Sequence, residues 1–259
     1  MKVKDIQAIL DKHSPERAAC GWDNVGLLVG DAEAEVNRIY VALDATDEVI
    51  AHAIESECEM IVTHHPMIFS GMKRVVMSDF TGRRVMDLIS HGIALYAMHT
   101  NFDIYGMADL AARKLGLDEC EPLEVTGEDV DGMQGIGRVG KLAESMRLKA
   151  FAEDVRDIFG ISHVRVYGDL SERVRVVAVC PGSGKSDIDE AIAKGADVYV
   201  TGDIDHHSGI DANMKGLNVV DAGHYGIEHI FIEYMKRYLK GQTEAEIFTE
   251  PYGEPYVVV

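Results

Sequence analysis

Cysteine is scarce in this chain, and what there is lies scattered. Cys20, Cys58, Cys120 and Cys180 include no Cys-x-x-Cys pair. That argues against a thiolate zinc site and against a disulfide framework, and leaves four reduced, largely buried thiols as the expectation. Positive charge is short as well: 25 Lys and Arg stand against 44 Asp and Glu, for a formal charge of −19. A nucleic-acid backbone is held by Lys and Arg displacing counterions, so nucleic acid is not an expected partner. No basic run is longer than a pair such as Lys73-Arg74 or Lys236-Arg237. No apolar run approaches the roughly 20 residues that a bilayer span requires. Lys2, Lys4 and Asp5 interrupt the first ten residues, so no signal peptide is visible. The expected location is therefore the cytoplasm, with no membrane partner.

What is present suits a folded globular protein. The 259 residues are 47% hydrophobic and 27% charged, and the length allows a sizeable core. In the first half, short β-rich runs alternate with helical patterns. Arg38–Leu43, Met60–Thr63 and Ile93–Met98 read as strands; Asp47–Glu57, Ser78–Ser90 and Met107–Leu115 read as helices. Such alternation predicts an α/β fold, with a largely parallel sheet and helices on its faces.

The second half repeats the order. Val174–Val179, Val198–Val200 and Leu217–Val220 read as strands, Asp187–Lys194 as a helix, and Ile227–Leu239 as a closing helix with a core-facing apolar stripe. Ala53-Ile54 followed by Ile61-Val62-Thr63-His64 aligns at constant offset with Ala191-Ile192 followed by Tyr199-Val200-Thr201-Gly202. The expectation is an internal duplication into two related α/β lobes, residues 1–121 and 122–259, with a cleft between them. Pro122–Gly140, rich in glycine and acids and without periodicity, reads as a linker. Arg147–Phe159 reads as an amphipathic helix and Ser162–Tyr167 as a strand.

Three segments carry chemistry. Thr63-His64-His65-Pro66 ends a hydrophobic strand, and ligands sit preferentially beyond the carboxyl ends of parallel strands. Adjacent histidines on extended chain point to opposite sides and can serve two metals, or one if the strand turns. His99-Thr100-Asn101-Phe102-Asp103 closes the next strand, where Asp103 is either an oxygen ligand or the cap of the following helix. His224 and Glu228 stand at i, i+4 on one helical face, as a ligand pair or as a surface pair. Mixed imidazole and carboxylate ligation suits zinc, iron, manganese, cobalt or nickel, and five or more ligands suit two divalent ions.

Four ordered motifs then resemble one family. They are Trp22-Asp23-Asn24-Val25-Gly26-Leu27, Thr63-His64-His65-Pro66, His99-Thr100-Asn101-Phe102-Asp103 and Gly223-His224-Tyr225-Gly226-Ile227-Glu228. The chain is similar from about Val3 to Pro251 to the NGG-interacting-factor-like dinuclear metal proteins. Many of these bear the name of type 2 homologues of GTP cyclohydrolase I. Carried over by position, the resemblance implies His64, His65, Asp103, His224 and Glu228 as metal ligands. It also implies a homohexameric ring. Gly226 departs from the serine frequent in relatives and touches no ligand. The short Gly116–Arg173 region implies the compact form of the family.

His99, Asp23, His206 and His207 are candidates for supporting the ligands or touching substrate. Gly182-Ser183-Gly184-Lys185-Ser186 imitates a phosphate loop but has Val179 where that motif needs its first glycine, leaving at most an anion-holding turn. The functional expectation is a dinuclear hydrolase using metal-activated water on a small molecule, such as a nucleotide. GTP cyclohydrolase chemistry at purine C8 is implied by the resemblance alone. A non-catalytic metal-storage or scaffold ring and a metal-dependent phosphoesterase are the alternatives.

Overall fold

The chain begins as an amphipathic helix, α1 (Val3–His13), which buries Val3, Ile6 and Leu10 along one face. After it come β1 (Gly26–Val29), β2 (Arg38–Ala42), α2 (Asp47–Glu55), β3 (Met60–Thr63), α3 (Phe80–Ser90) and β4 (Ala94–Ala97). Every residue of β3 and β4 is buried, as expected of strands covered on both faces. Side chains cap the two crossover helices: Thr46 accepts from the Val49 amide at α2, and Asp79 from the Gly82 amide at α3.

A helical stretch then runs from α4 (Thr100–Phe102) through a π-helical turn, Asp103–Met107, into α5 (Ala108–Lys114). Next are β5 (Asp118–Asp129), β6 (Gly132–Arg147), α6 (Leu148–Phe159), β7 (Arg165–Tyr167), β8 (Arg173–Ser183), α7 (Ile188–Ala193), β9 (Val198–Gly202), α8 (His206–Met214) and β10 (Asn218–Asp221). The chain ends with α9 (His224–Glu228), α10 (Ile230–Gln242) and β11 (Glu246–Thr249). This computed structural model describes residues 1–130 and 132–258.

Two sheets result, one in each of two units. The first unit comprises Met1–Phe102 and Phe231–Gly253, with the strand order β1-β4-β3-β2-β11. Its strands β11, β2, β3 and β4 are mutually parallel, and β1 lies antiparallel on β4. Tyr40, Ile61, Leu95, Val49 and Leu88 are among its core side chains. The second unit comprises Asp103–Ile230 and the residues after Gly253, with the order β5-β6-β8-β9-β10-β7. Here only β8, β9 and β10 are parallel; β5, β6 and β7 pair antiparallel. Leu123, Ala178, Tyr199 and Val219 lie in its core.

The α/β class is as expected, and three readings of detail change. The region read as a linker, Pro122–Gly140, forms most of a long β5–β6 hairpin that continues the second sheet. The unit boundary differs from 121/122, a point that falls inside β5. Strand pairing explains why: β5 pairs along its length with β6, while β11 returns to pair with β2 from Glu246↔Arg38 to Thr249↔Val41. The closing helix read over Ile227–Leu239 is instead two helices that meet at His229. The order strand-helix-strand-helix-strand does recur, as β2 to β4 and as β8 to β10. A duplication leaves that pattern, and independent right-handed βαβ units give it too.

Candidate metal centre

In the first unit the buried strand β3 delivers His64 and His65 to its carboxyl end. The Thr63 hydroxyl donates to the His65 carbonyl at 2.9 Å, and the His65 amide donates to the Leu43 carbonyl at 2.9 Å. These two bonds fix the bend that follows the strand. His64 is fully buried, with its ring 5.4 Å from that of Phe231. His99 stands just beyond the neighbouring strand β4. One ring nitrogen from each of His64, His65 and His99 lies within 4.8 Å of the others, a spacing that can hold a metal ion.

The Nδ1 atoms of all three rings are engaged by oxygen. His64 Nδ1 bonds the Met98 carbonyl at 2.7 Å, His65 Nδ1 bonds Asp44 Oδ1 at 2.9 Å, and His99 Nδ1 bonds Asp23 Oδ1 at 2.8 Å. A carbonyl can only accept, so His64 carries its proton on Nδ1 and leaves the Nε2 lone pair for a ligand. Carboxylates impose the same tautomer on neutral His65 and His99. Such acceptors behind an imidazole orient it and raise its basicity as a metal ligand.

Asp23 is the most elaborated of these supports. Its side chain is fully buried and also accepts from the Thr100 amide at 3.0 Å and the Thr100 hydroxyl at 2.6 Å. Burial alone would raise its pKa. The hydrogen bonds from His99 and Thr100 and the nearby His99 ring outweigh it and hold the carboxyl well below the usual carboxylate range.

In the second unit, Asp103 opens the π-helical turn. It does not cap a helix, because the helical stretch already starts at Thr100. Single-turn π segments within α-helices are frequent at functional sites. His224 starts α9 after Gly223, whose φ of +71° and extended ψ set the turn out of β10. Its Nδ1 bonds Asp203 Oδ2 at 2.8 Å, and its Nε2 lies 2.9 Å from Glu228 Oε2. Glu228 is buried, and a carboxylate oxygen of Asp103 lies within 4.8 Å of one of its own. With the proton on Nδ1, His224 Nε2 would face a carboxylate oxygen lone pair to lone pair. Either a second proton or a cation relieves that repulsion.

Close backbone makes room for these groups. A Cβ on Gly182, where φ is +81°, would lie 2.4 Å from Glu228 Oε1. A Cβ on Gly202 would lie 2.6 Å from the His224 amide nitrogen. Gly202 is the residue that aligns with His64, so at that position the second unit accommodates no side chain.

The first unit thus brings three imidazoles together, and in the second Glu228 lies near both His224 and Asp103. This donor set fits a divalent transition metal. His206 and His207 belong to neither group. They are exposed in the first turn of α8, which Asp205 caps by accepting from the Ser208 amide. The phosphate-loop imitation is a strand end followed by a short turn, and its Lys185 is paired with Asp205 at 2.9 Å. None of the four cysteines is in a disulfide; Cys58 and Cys180 are buried, Cys20 partly so and Cys120 exposed. Asp44 and Asp203 escaped the sequence reading, although each follows the end of a parallel strand. Asp203 adopts φ +57°, uncommon for a residue with a side chain and better tolerated by Asp than by most.

Comparison with known proteins places the fold in a family. The family model for Duf34/NIF3 (NGG1p interacting factor 3) matches residues 1–252. A Clostridium acetobutylicum protein named "GTP cyclohydrolase 1 type 2 homolog" is 38% identical over 243 residues, covering 93% of this chain and 90% of its own length. A Bacillus cereus crystal structure described as related to NIF3 superposes with a TM-score of 0.94 at 26% identity, covering 100% of this chain and 99% of that one. HcgD from Methanocaldococcus jannaschii, in a structure of its reduced form, gives a TM-score of 0.83 at 30% identity, covering 96% and 97%. On the strength of that family match, made over nearly the whole sequence, the chain belongs to the Duf34/NIF3 family.

Proposed function

We propose that the chain is a metal-dependent hydrolase in which His64, His65, Asp103, His224 and Glu228 hold two divalent ions. The observation that carries this reading is the common treatment of the imidazoles. Nδ1 of each of His64, His65, His99 and His224 is committed to an oxygen acceptor, which aims Nε2 at a ligand. A chance histidine cluster has no reason to share that pattern. Zinc, iron, manganese, cobalt and nickel all suit the donors.

Bound divalent ions would supply Lewis acidity and an activated water. The protein's own part is to fix the donors. Asp44, Asp23 and Asp203 hold the imidazole tautomers, buried Glu228 brings negative charge, and Gly182 and Gly202 let the backbone approach. The relatives' name directs the search for substrate to nucleotides, with attack at purine C8 and release of formate as the chemistry to look for. Assembly into a homohexamer and residence in the cytoplasm are proposed with it. Among the described residues, no helix is long and apolar enough to cross a membrane.

The test is metal analysis and light scattering of the purified protein, then turnover on a panel of nucleotides and phosphoesters. We expect two divalent ions per chain, an assembly several times the 28.5 kDa chain mass, and turnover of one substrate class. Glu228→Gln keeps size and removes charge, and should lower metal occupancy and activity at least 10–100-fold, the loss typical of a supporting residue. Full metal loading and activity in that variant would refute the assignment. Metal binding without turnover of any panel member would leave a metal-binding scaffold.

A further inference from the structure

Beside the histidine group of the first unit lies a surface that no ligand role explains. Trp22, the only tryptophan in the chain, is 62% exposed. Its ring centroid lies 5.9 Å from Phe69, itself half exposed, and its edge meets His99 at 6.1 Å. The position is anchored on both sides. Neighbouring Asp23 holds His99, and the Asn24 side chain donates to the Ile68 carbonyl at 2.5 Å, tying the Trp22 turn to the loop after His65. An exposed indole anchored at its base in this way offers a face on which a planar group can stack.

The same loop lines an open hollow of about 410 Å³, within the size range of small-molecule sites. Phe69, Met72, Lys73, Arg74, Asp79 and Thr81 are among its lining residues. Asp79 is already committed to the Gly82 amide at 3.0 Å. Lys73 and Arg74 differ from many cations of the chain in their pairing. Arg83 and Arg84 both reach Asp47, and Lys2 and Lys4 both reach Glu33, whereas Lys73 and Arg74 have no ion pair among the described residues. In a chain of charge −19, two uncommitted cations on one cavity wall mark a place for an anion.

We propose that the Trp22–Phe69 pair and the Lys73–Arg74 wall form a binding site for a nucleotide, with the base on the aromatic rings and the phosphate at the cations. The base then lies against His99, at the edge of the metal group. The placement deepens the hydrolase reading and depends on it for its use in catalysis, but binding itself does not require turnover.

Because Trp22 is the sole tryptophan, it reports the binding directly. Titrating purified protein with GTP, and separately with guanosine and inorganic triphosphate, should quench or shift Trp22 fluorescence saturably with GTP. Guanosine should bind more weakly, and triphosphate should leave the emission little changed. Phe69→Ala should weaken GTP binding roughly tenfold by loss of stacking. Lys73→Ala with Arg74→Ala should weaken it roughly tenfold and flatten its salt dependence, since ionic contacts are screened. Glu228→Gln should retain the fluorescence response while losing metal, which separates failure of this site from failure of the hydrolase reading. Absence of any nucleotide response at millimolar concentration would overturn the proposal. So would a Phe69→Ala variant that binds as the parent does, or one whose only change is a lower assembly mass in light scattering, which would give the surface to a second copy of the chain.

Discussion

The residues on which the proposed metal site most depends are mostly not its proposed ligands. An imidazole on a strand end can rotate and can carry its proton on either nitrogen, and each freedom weakens it as a ligand. Asp44, Asp23 and Asp203 remove both freedoms for His65, His99 and His224. Asp203→Asn is the cleanest test, because Asp203 is exposed and its loss leaves no buried charge unpaired. Asparagine keeps the size and can present an amide nitrogen where the carboxylate stood. We expect metal affinity to fall 10–100-fold with little change in folding, as measured by metal titration and by urea unfolding of the same sample. Unchanged affinity would show that the Nδ1 contact of His224 is incidental.

At the scale of elements, strands buried on both faces were legible. Met60–Thr63 is read correctly to the residue because an apolar run closed by β-branched Thr63 stands between Cys58-Glu59 and a histidine pair. The β5–β6 hairpin was not legible, because β5 buries only Pro122 and Leu123 and shows no alternation to read. Backbone pairing creates that hairpin, and pairing leaves no trace in composition. Helix α8 escaped for a related reason: it buries only Gly209 and Ala212, and so carries no apolar stripe. The apolar stripe of α10 was visible, but the core it joins was not. Tyr234 and Tyr238 lead it back to α1, where the Tyr234 hydroxyl meets His13 Nε2 at 2.6 Å and the Tyr238 hydroxyl donates to the Ile9 carbonyl at 3.1 Å. For the site, the strand-end histidines and Asp23 were readable in order, whereas Asp44 and Asp203 depend on backbone geometry that only the fold supplies. The junction of β9 with α9 shows this dependence. A methyl at Gly202 would meet the His224 amide nitrogen at 2.6 Å and the Gly182 carbonyl at 2.8 Å, both backbone atoms that cannot swing aside. Gly202→Ala should therefore cost about 1–3 kcal/mol of stability. It should also lower metal affinity by moving His224. Denaturant unfolding and metal titration together check this, and a fully stable variant with parental metal content would mean that the junction is loose.

At the scale of the whole molecule, the acidic composition gives stability a pH dependence to which Asp187 makes an identifiable contribution. Burial, then the neighbouring charge of Glu124 and a hydrogen bond with it, push the Asp187 carboxyl up to about 6. An unfolded chain has this group near its ordinary value of about 3.9. Below about pH 4 both states keep the proton, and Asp187 contributes no pH dependence. Between about pH 4 and about pH 6 the unfolded chain gives up its proton first, so the folded state binds more protons and loses stability as pH rises. Above about pH 6 the folded group is ionised too, and the cost is full, on the order of 1–3 kcal/mol. Asp187→Asn removes the charge and keeps a side chain able to donate to Glu124. We expect the variant to be more stable than the parent at pH 8 by about that amount, and the gain to shrink as the pH is lowered toward 5. Urea unfolding of both proteins in chelator, with the metal removed so that ligand protonation does not enter the difference, measures it. A variant equally destabilised at both pH values would show that the carboxylate is held by contacts that repay its burial.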